Sequence, residues 1–251
     1  MKSADPPEGL LVGVNPILEQ LRRDASAIRR IVVAQRVRAG AAEVAGEARR
    51  AGIEVVYEEP RRLRELAGGV AHQGVVAFVH AYHYDDWYEL LARRPGCLLV
   101  GDQISDPRNL GALIRSAEAA GVAGLVVPQD RSAPMNAVVA KAAAGATSSL
   151  PVACVVNLAR ALGELKDAGY WVVGLDGAGP RSLFDFTFPD PCALVVGAEG
   201  KGLRPLTRSK CDHLVSIPML GRVGSLNVSV AAAVALYERV RQRQARKVSS
   251  D

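Results

Sequence analysis

CLLVGDQISDPRNLGALIRSAEAAG, Cys97–Gly121, decides the fold class. CLLVGD (Cys97–Asp102) is a continuous apolar run of strand length, as expected for a strand covered on both faces. A polar loop follows, and a helix begins near Asn109 and runs to Ala120. The alternation continues downstream. Strands are predicted at Gly124–Pro128, Val152–Val156, Trp171–Leu175, Ala193–Gly197 and His213–Pro218. Helices are predicted around Met135–Ala144, at Leu158–Asp167 and from Ser225 to Arg243. Alternating strands and helices imply an α/β fold with a mostly parallel sheet.

Upstream lies a smaller α/β unit. LLVGV (Leu10–Val14) reads as a strand, and Asn15–Pro16 open a helix to Arg23, proline being a helix-start residue. Strands are expected at Arg30–Gln35, Ile53–Glu58 and Val75–His80, and helices at Ala39–Ala51 and Pro60–Ala67. Ala81–Pro95 is acidic and aromatic where its flanks are neither, and reads as a linker with a short helix docked on one domain. The expected organisation is a domain over 1–80, a linker over 81–95 and a second domain over 96–251.

Composition excludes several classes. The chain has 251 residues, 49% hydrophobic and 23% charged, which excludes a disordered chain, a collagen and a coiled coil. No apolar run reaches the about 18 residues of a membrane span, and Met1–Leu10 resembles neither a signal nor a transit peptide. A cytoplasmic location without membrane attachment is expected. Cys97, Cys154, Cys192 and Cys211 have no CxxC pair and no zinc-ribbon spacing, so they read as reduced, mostly buried thiols, and no metal is expected. The net charge is +5, with 11 arginines against 8 acids over residues 10–80 and a basic carboxyl-terminal stretch. That balance suits a polyanionic partner, although solvated helix faces also carry arginine.

Three loops break the pattern of strand and ordinary turn. The first holds Asn109 and Arg115, six residues apart and on different sides of the helix start; Asn109 also suits a plain N-cap. The second is VVGAEGKGL (Val195–Leu203), whose glycines bracket Glu199 and Lys201. Glycine lets a ligand approach main chain closely. Gly202 after Lys201 rules out a Walker A loop, and an ordinary glycine-rich turn stays open. The third is SIPMLGRVGSLNVSVAAAVALYERV (Ser216–Val240), with Ser225 and Asn227 at the head of a helix rich in small residues; Ser225 also suits an N-cap. A rival exists in WVVGLDGAG (Trp171–Gly179), which looks like a Rossmann-type nucleotide loop but lacks the third glycine and follows the fourth strand of its segment.

In this order the three loops resemble the SpoU branch of the SPOUT ribose 2′-O-methyltransferases, over nearly the whole chain. Asn109 and Arg115 match the first family motif, GAEGKGL with Glu199 the second, and IPM…SLNVSVA with Ser225 and Asn227 the third. GVNPILE (Gly13–Glu19) and HQGVVA (His72–Ala77) resemble the amino-terminal RNA-binding domain of members that methylate 23S rRNA. The resemblance implies a deep trefoil knot in the carboxyl-terminal sheet, an L30e-like amino-terminal domain and a homodimer. It implies transfer of a methyl group from S-adenosylmethionine to a ribose 2′-hydroxyl, most closely in a guanosine of ribosomal RNA. Arg115, Asn109, Glu199, Ser225 and Asn227 are the implied catalytic set. Gly197, Ile217, Met219 and Leu226 are the implied cofactor set. A tRNA or antibiotic-resistance methyltransferase of the same fold, and an idle RNA-binding assembly factor, are the alternatives; intact motif residues speak against the last.

Overall fold

The computed structural model describes residues 9–36, 39–68, 71–79, 84–93, 96–200 and 202–248. The chain forms two compact units that divide between residues 83 and 84. The first contains β1 (Gly9–Val12), α1 (Val14–Arg23), β2 (Ile28–Ala34), α2 (Ala39–Arg50), β3 (Glu54–Glu58), α3 (Pro60–Leu66) and β4 (Val75–Val79). Its sheet order is β1-β4-β2-β3, with only the β2–β3 pair parallel. Apolar residues at successive strand positions serve both faces, as the run predicts. Val32, Ala34, Val76 and Phe78 pack with Leu63 and Ala67 at α3, while the alternating Ile31, Val33, Val75 and Ala77 are equally buried. The two signature stretches meet. Gln73, at φ 51°, accepts the Val14 N–H at 3.0 Å, and the Gly13 N–H reaches the Val75 carbonyl at 3.2 Å. A distant glutamine thus satisfies a free donor at the start of α1. His80, placed in the strand by sequence, lies outside the described residues, as do 81–83, 94 and 95 of the expected linker.

The second unit begins with α4 (Trp87–Ala92), β5 (Cys97–Asp102), α5 (Pro107–Ala119), β6 (Leu125–Pro128), α6 (Ala137–Ala143) and β7 (Val152–Val155). It continues through α7 (Leu158–Asp167), β8 (Trp171–Leu175), β9 (Arg181–Ser182), β10 (Cys192–Gly197), α8 (Pro205–Lys210), β11 (His213–Ser216) and α9 (Val228–Val248). Its seven strands are parallel throughout, in the order β7-β6-β5-β10-β8-β11-β9. Leu98, Val100, Val126, Ala193 and Val195 pack with α4 and α7 on one face. Leu99, Leu125 and Leu194 alternate with them and are fully enclosed or nearly so. The acidic, aromatic segment belongs to this unit: Trp87 is buried and donates its indole N–H to Glu164 at 2.7 Å. Asp85 accepts the Val152 N–H at 2.9 Å.

Two boundaries differ from expectation for a local reason. α5 starts two residues before Asn109 because Asp106 caps it, accepting the Arg108 N–H at 2.7 Å, and Pro107 occupies the first turn. α9 starts after Asn227, whose Oδ1 accepts the Ser229 N–H at 3.0 Å. Neither Asn109 nor Ser225 is therefore an N-cap. α5 and α6 cross at Gly111, where an added Cβ would lie 2.5 Å from Ala142 Cβ and from the Val139 carbonyl oxygen. We expect Gly111→Ala to overpack this crossing and cost about 1–3 kcal/mol, read as a lower denaturant midpoint. An unchanged midpoint would show that the helices separate freely.

Candidate active site

β10 runs beside β5 in register from Cys192 opposite Cys97 to Gly197 opposite Asp102, so the loops after both strands leave side by side. Ligands of open parallel sheets bind beyond such carboxyl ends. Asp102 is fully enclosed. Its carboxylate accepts the Arg204 guanidinium Nε at 2.6 Å and the Arg204 backbone N–H at 3.0 Å. That anchor returns the glycine-rich loop to the sheet. Within the loop, the Gly202 N–H donates to the Ala198 carbonyl at 2.9 Å. Gly200 and Gly202 hold φ of 73° and 65°, and a Cβ at Gly197 would collide with the Gly202 main chain. Lys201 lies outside the described residues.

The loop delivers Glu199 to α5. Asn109 Nδ2 donates to Glu199 Oε2 at 3.1 Å. Asn227 Nδ2 donates to Asn109 Oδ1 at 2.9 Å and to Glu199 Oε1 at 3.3 Å. Asn227 is itself held by Ser229, whose hydroxyl donates to Asn227 Oδ1 at 2.6 Å. One residue from each of the three sequence loops thus closes a triangle of hydrogen bonds. Arg115 stands apart. It is exposed on α5 and lines neither cleft described below.

Two clefts meet at this triangle. The first, of about 290 Å³, is lined by Gly197, Ile217, Met219, Ser225 and Leu226 together with Leu175–Ala178. Sequence reading set the 171–179 loop aside as a rival site; the fold brings it into the same cleft. The signal was its Asp176–Gly177 turn at a strand end. The second cleft, of about 240 Å³, is lined by residues after β5 and β6, including Gln103, Asp106, Asn109 and Arg131. Ala198, Glu199 and Val228 line both. Among the described residues the first cleft carries two carboxylates, Asp176 and Glu199, and no cationic side chain. Asp176 is paired with Arg208 at 3.2 Å. Apart from Ser225, the rest of the lining is apolar side chain and glycine. Such a wall suits an amphipathic ligand that is neutral or cationic and disfavours a polyphosphate. Among the described residues no helix is long and apolar enough to cross a membrane.

Residues 96–237 match the SpoU rRNA Methylase family, and residues 10–85 match the RNA 2′-O ribose methyltransferase substrate binding family. The chain belongs to the SpoU rRNA methylase family. Among its relatives, a 23S rRNA (guanosine-2′-O-)-methyltransferase of Ralstonia nicotianae is 45% identical, over 93% of this chain and 96% of that one. One of Neisseria meningitidis is 46% identical over 80% of this chain and 82% of its own length. The crystal structure of the SpoU methyltransferase AviRb from Streptomyces viridochromogenes, in complex with AdoMet, has a TM-score of 0.66 at 31% identity, covering 95% of this chain and 91% of that one. The resemblance read from the three motifs is the family the chain belongs to.

In this SpoU chain the Asp102–Arg204 anchor has a measurable worth. Removing one partner of a fully enclosed pair costs about 3–5 kcal/mol, but Arg204 is 38% exposed and keeps access to water. We therefore expect Asp102→Ala to lose about 2–3 kcal/mol of unfolding free energy. A loss below about 1 kcal/mol would show that the loop holds without its anchor.

Proposed function

We propose that this chain methylates the ribose 2′-hydroxyl of a guanosine in 23S rRNA, with S-adenosylmethionine as methyl donor. The observation that carries the reading is the Asn109–Glu199–Asn227 triangle standing between two clefts. The relatives named above support the substrate. The cation-tolerant, glycine-lined first cleft fits the donor. When bound, S-adenosylmethionine supplies an electrophilic methyl group on a sulfonium. Main chain at Gly197, Ile217 and Leu226, with the Met219 side chain, holds it.

The remaining steps belong to this chain's residues. Glu199 has an oxygen held by each of two amide groups, so its carboxylate is oriented before a substrate arrives. It orients the ribose hydroxyl across the wall between the clefts, with Ser225 completing the polar set. Holding reactants in line supplies up to about 7–11 kcal/mol of a displacement barrier. Arg115 keeps its charge, because guanidinium does not lose its proton in a protein. It grips an RNA phosphate from the exposed side of α5.

The wider organisation follows the same reading. Residues 1–80 serve RNA binding in an L30e-like domain, the 81–95 linker carries a short helix docked on the second unit, and residues 96–251 carry the chemistry in a knotted domain. The family resemblance carries the knot, and two loops lie close against the sheet in its region. The 198–204 loop folds back onto the end of β5. The turn after β8 lies against β11, where a Cβ at Gly179 would sit 2.6 Å from the Val215 carbonyl carbon. The chain acts in the cytoplasm as a homodimer. α9 packs Ala232, Ala235 and Leu236 into its own unit and leaves Val230 and Tyr237 exposed. The partner copy covers that exposed stripe.

Two experiments test this. Arg115→Ala should keep its melting temperature and S-adenosylmethionine affinity while methylation of rRNA falls by about 10²-fold or more. Arg115→Lys should recover little, since lysine lacks the bidentate fork. Equal loss of stability and cofactor affinity would make Arg115 structural. Separately, Val230→Asp with Tyr237→Glu should sediment as a monomer without a large drop in melting temperature. A double variant that stays dimeric would move the interface elsewhere.

A further inference from the structure

The second cleft has features that the fold does not require. It lies between the loop after β5 and the loop after β6, and the Ala133 N–H donates to the Ile104 carbonyl at 2.8 Å, joining the two loops. Each loop holds a residue with a side chain in the left-handed region, Gln103 at φ 64° and Arg131 at φ 61°. Neither is a glycine, asparagine or aspartate, the residues that tolerate that conformation. Each loop also encloses a polar atom without a hydrogen-bond partner among the described residues, Gln103 Nε2 and Ser132 Oγ. Strained backbone at two residues of the cleft wall marks a surface shaped for something other than folding, and the two enclosed polar atoms lie behind that wall.

The lining indicates what that is. Gln103, Ser105, Asp106, Asn109, Arg131 and Glu199 line one space, in which Asn109 and Glu199 are held by the triangle and Asp106 caps α5 through one oxygen. A phosphate seat would exclude the carboxylates. A nucleobase edge presents donors and acceptors side by side, and guanine offers O6 and N7 to a guanidinium. Its N1–H and amino group match a carboxylate or an amide oxygen. The cleft shares Glu199 with the donor-side cleft, so a base seated there brings its own ribose to the shared wall.

We infer that the second cleft seats the target guanine, and that Gln103 and Arg131 are the residues that position and select it. The inference rests on the methyltransferase reading above. Glycine relieves the strained φ at either position while removing the side chain, so Gln103→Gly and Arg131→Gly separate recognition from folding. Full-length wild type and both variants are compared on a transcript carrying the guanosine that the wild type methylates, and on the same transcript with adenosine there. The variants should melt at or above the wild-type temperature and bind S-adenosylmethionine unchanged by calorimetry. Their preference for guanosine over adenosine, in kcat/KM and in transcript affinity measured without the donor, should fall by about tenfold or more. Arg131→Lys should restore part of the affinity and little of the preference. An unchanged preference in both glycine variants overturns the inference. So does a loss of melting temperature that accounts for the lost activity. Wild-type protein that neither binds S-adenosylmethionine nor methylates the transcript instead overturns the functional reading beneath it.

Discussion

A buried carboxylate governs the active end of this molecule. Asp102 sits at the last position of β5 with no access to water, and burying a charge is unfavourable unless it is met by charged hydrogen bonds. Both of its oxygens are met by one residue, Arg204, through main chain and side chain. Any conformation that opens the 198–204 loop takes away both partners of that carboxylate. The loop therefore closes, and its closure sets Glu199 against Asn109 and Asn227. The arrangement of the triangle is thus a by-product of satisfying the charge at Asp102 behind it.

Much of the framework was legible in the residues. Cys97–Asp102, Leu158–Asp167 and Trp171–Leu175 form their elements to the residue, because each is bounded by a clear change of pattern. Strand order was not legible: β10 inserts between β5 and β8, and no local signal in CALVVG specifies its neighbours. The motif residues were identifiable, but their mutual contacts were not. Asn109 and Arg115 read as one motif, yet their spacing puts them on different sides of α5, and only Asn109 joins the triangle. Gln103 and Arg131 escaped notice for a physical reason. Left-handed backbone is signalled by glycine or asparagine, and here it is imposed on residues that disfavour it.

Charge composition told less than it promised. Arginines of the basic carboxyl-terminal stretch work within the chain. Arg239 is almost wholly enclosed and donates to Asp190 at 3.1 Å and to the Gly96 carbonyl at 3.2 Å. Arg246 reaches the Phe188 carbonyl at 3.0 Å, and Arg241 is paired with Glu238 at 2.7 Å. Gln242 adds bonds to Phe186 and Phe188 on the same strand-free segment. Arg239, Gln242 and Arg246 fasten α9 along 186–190, while the Arg241–Glu238 pair lies within the helix. A run of like charge reads as a landing strip for a polyanion until each guanidinium is asked what it already holds.

Ala198, Glu199 and Val228 form one wall with a cleft on either side. A wall between two compartments makes their occupancies thermodynamically linked. If a molecule in one cleft shifts Glu199, the free energy of filling the other changes by the same amount, whichever arrives first. The hydrogen bonds from Asn109 and Asn227 set how stiff the wall is, and hence how much of that shift is transmitted. A stiff wall makes the two occupancies independent, and a compliant one makes them cooperative or antagonistic. The same amides that hold the Glu199 carboxylate in place thus also set how strongly molecules in the two clefts would sense each other.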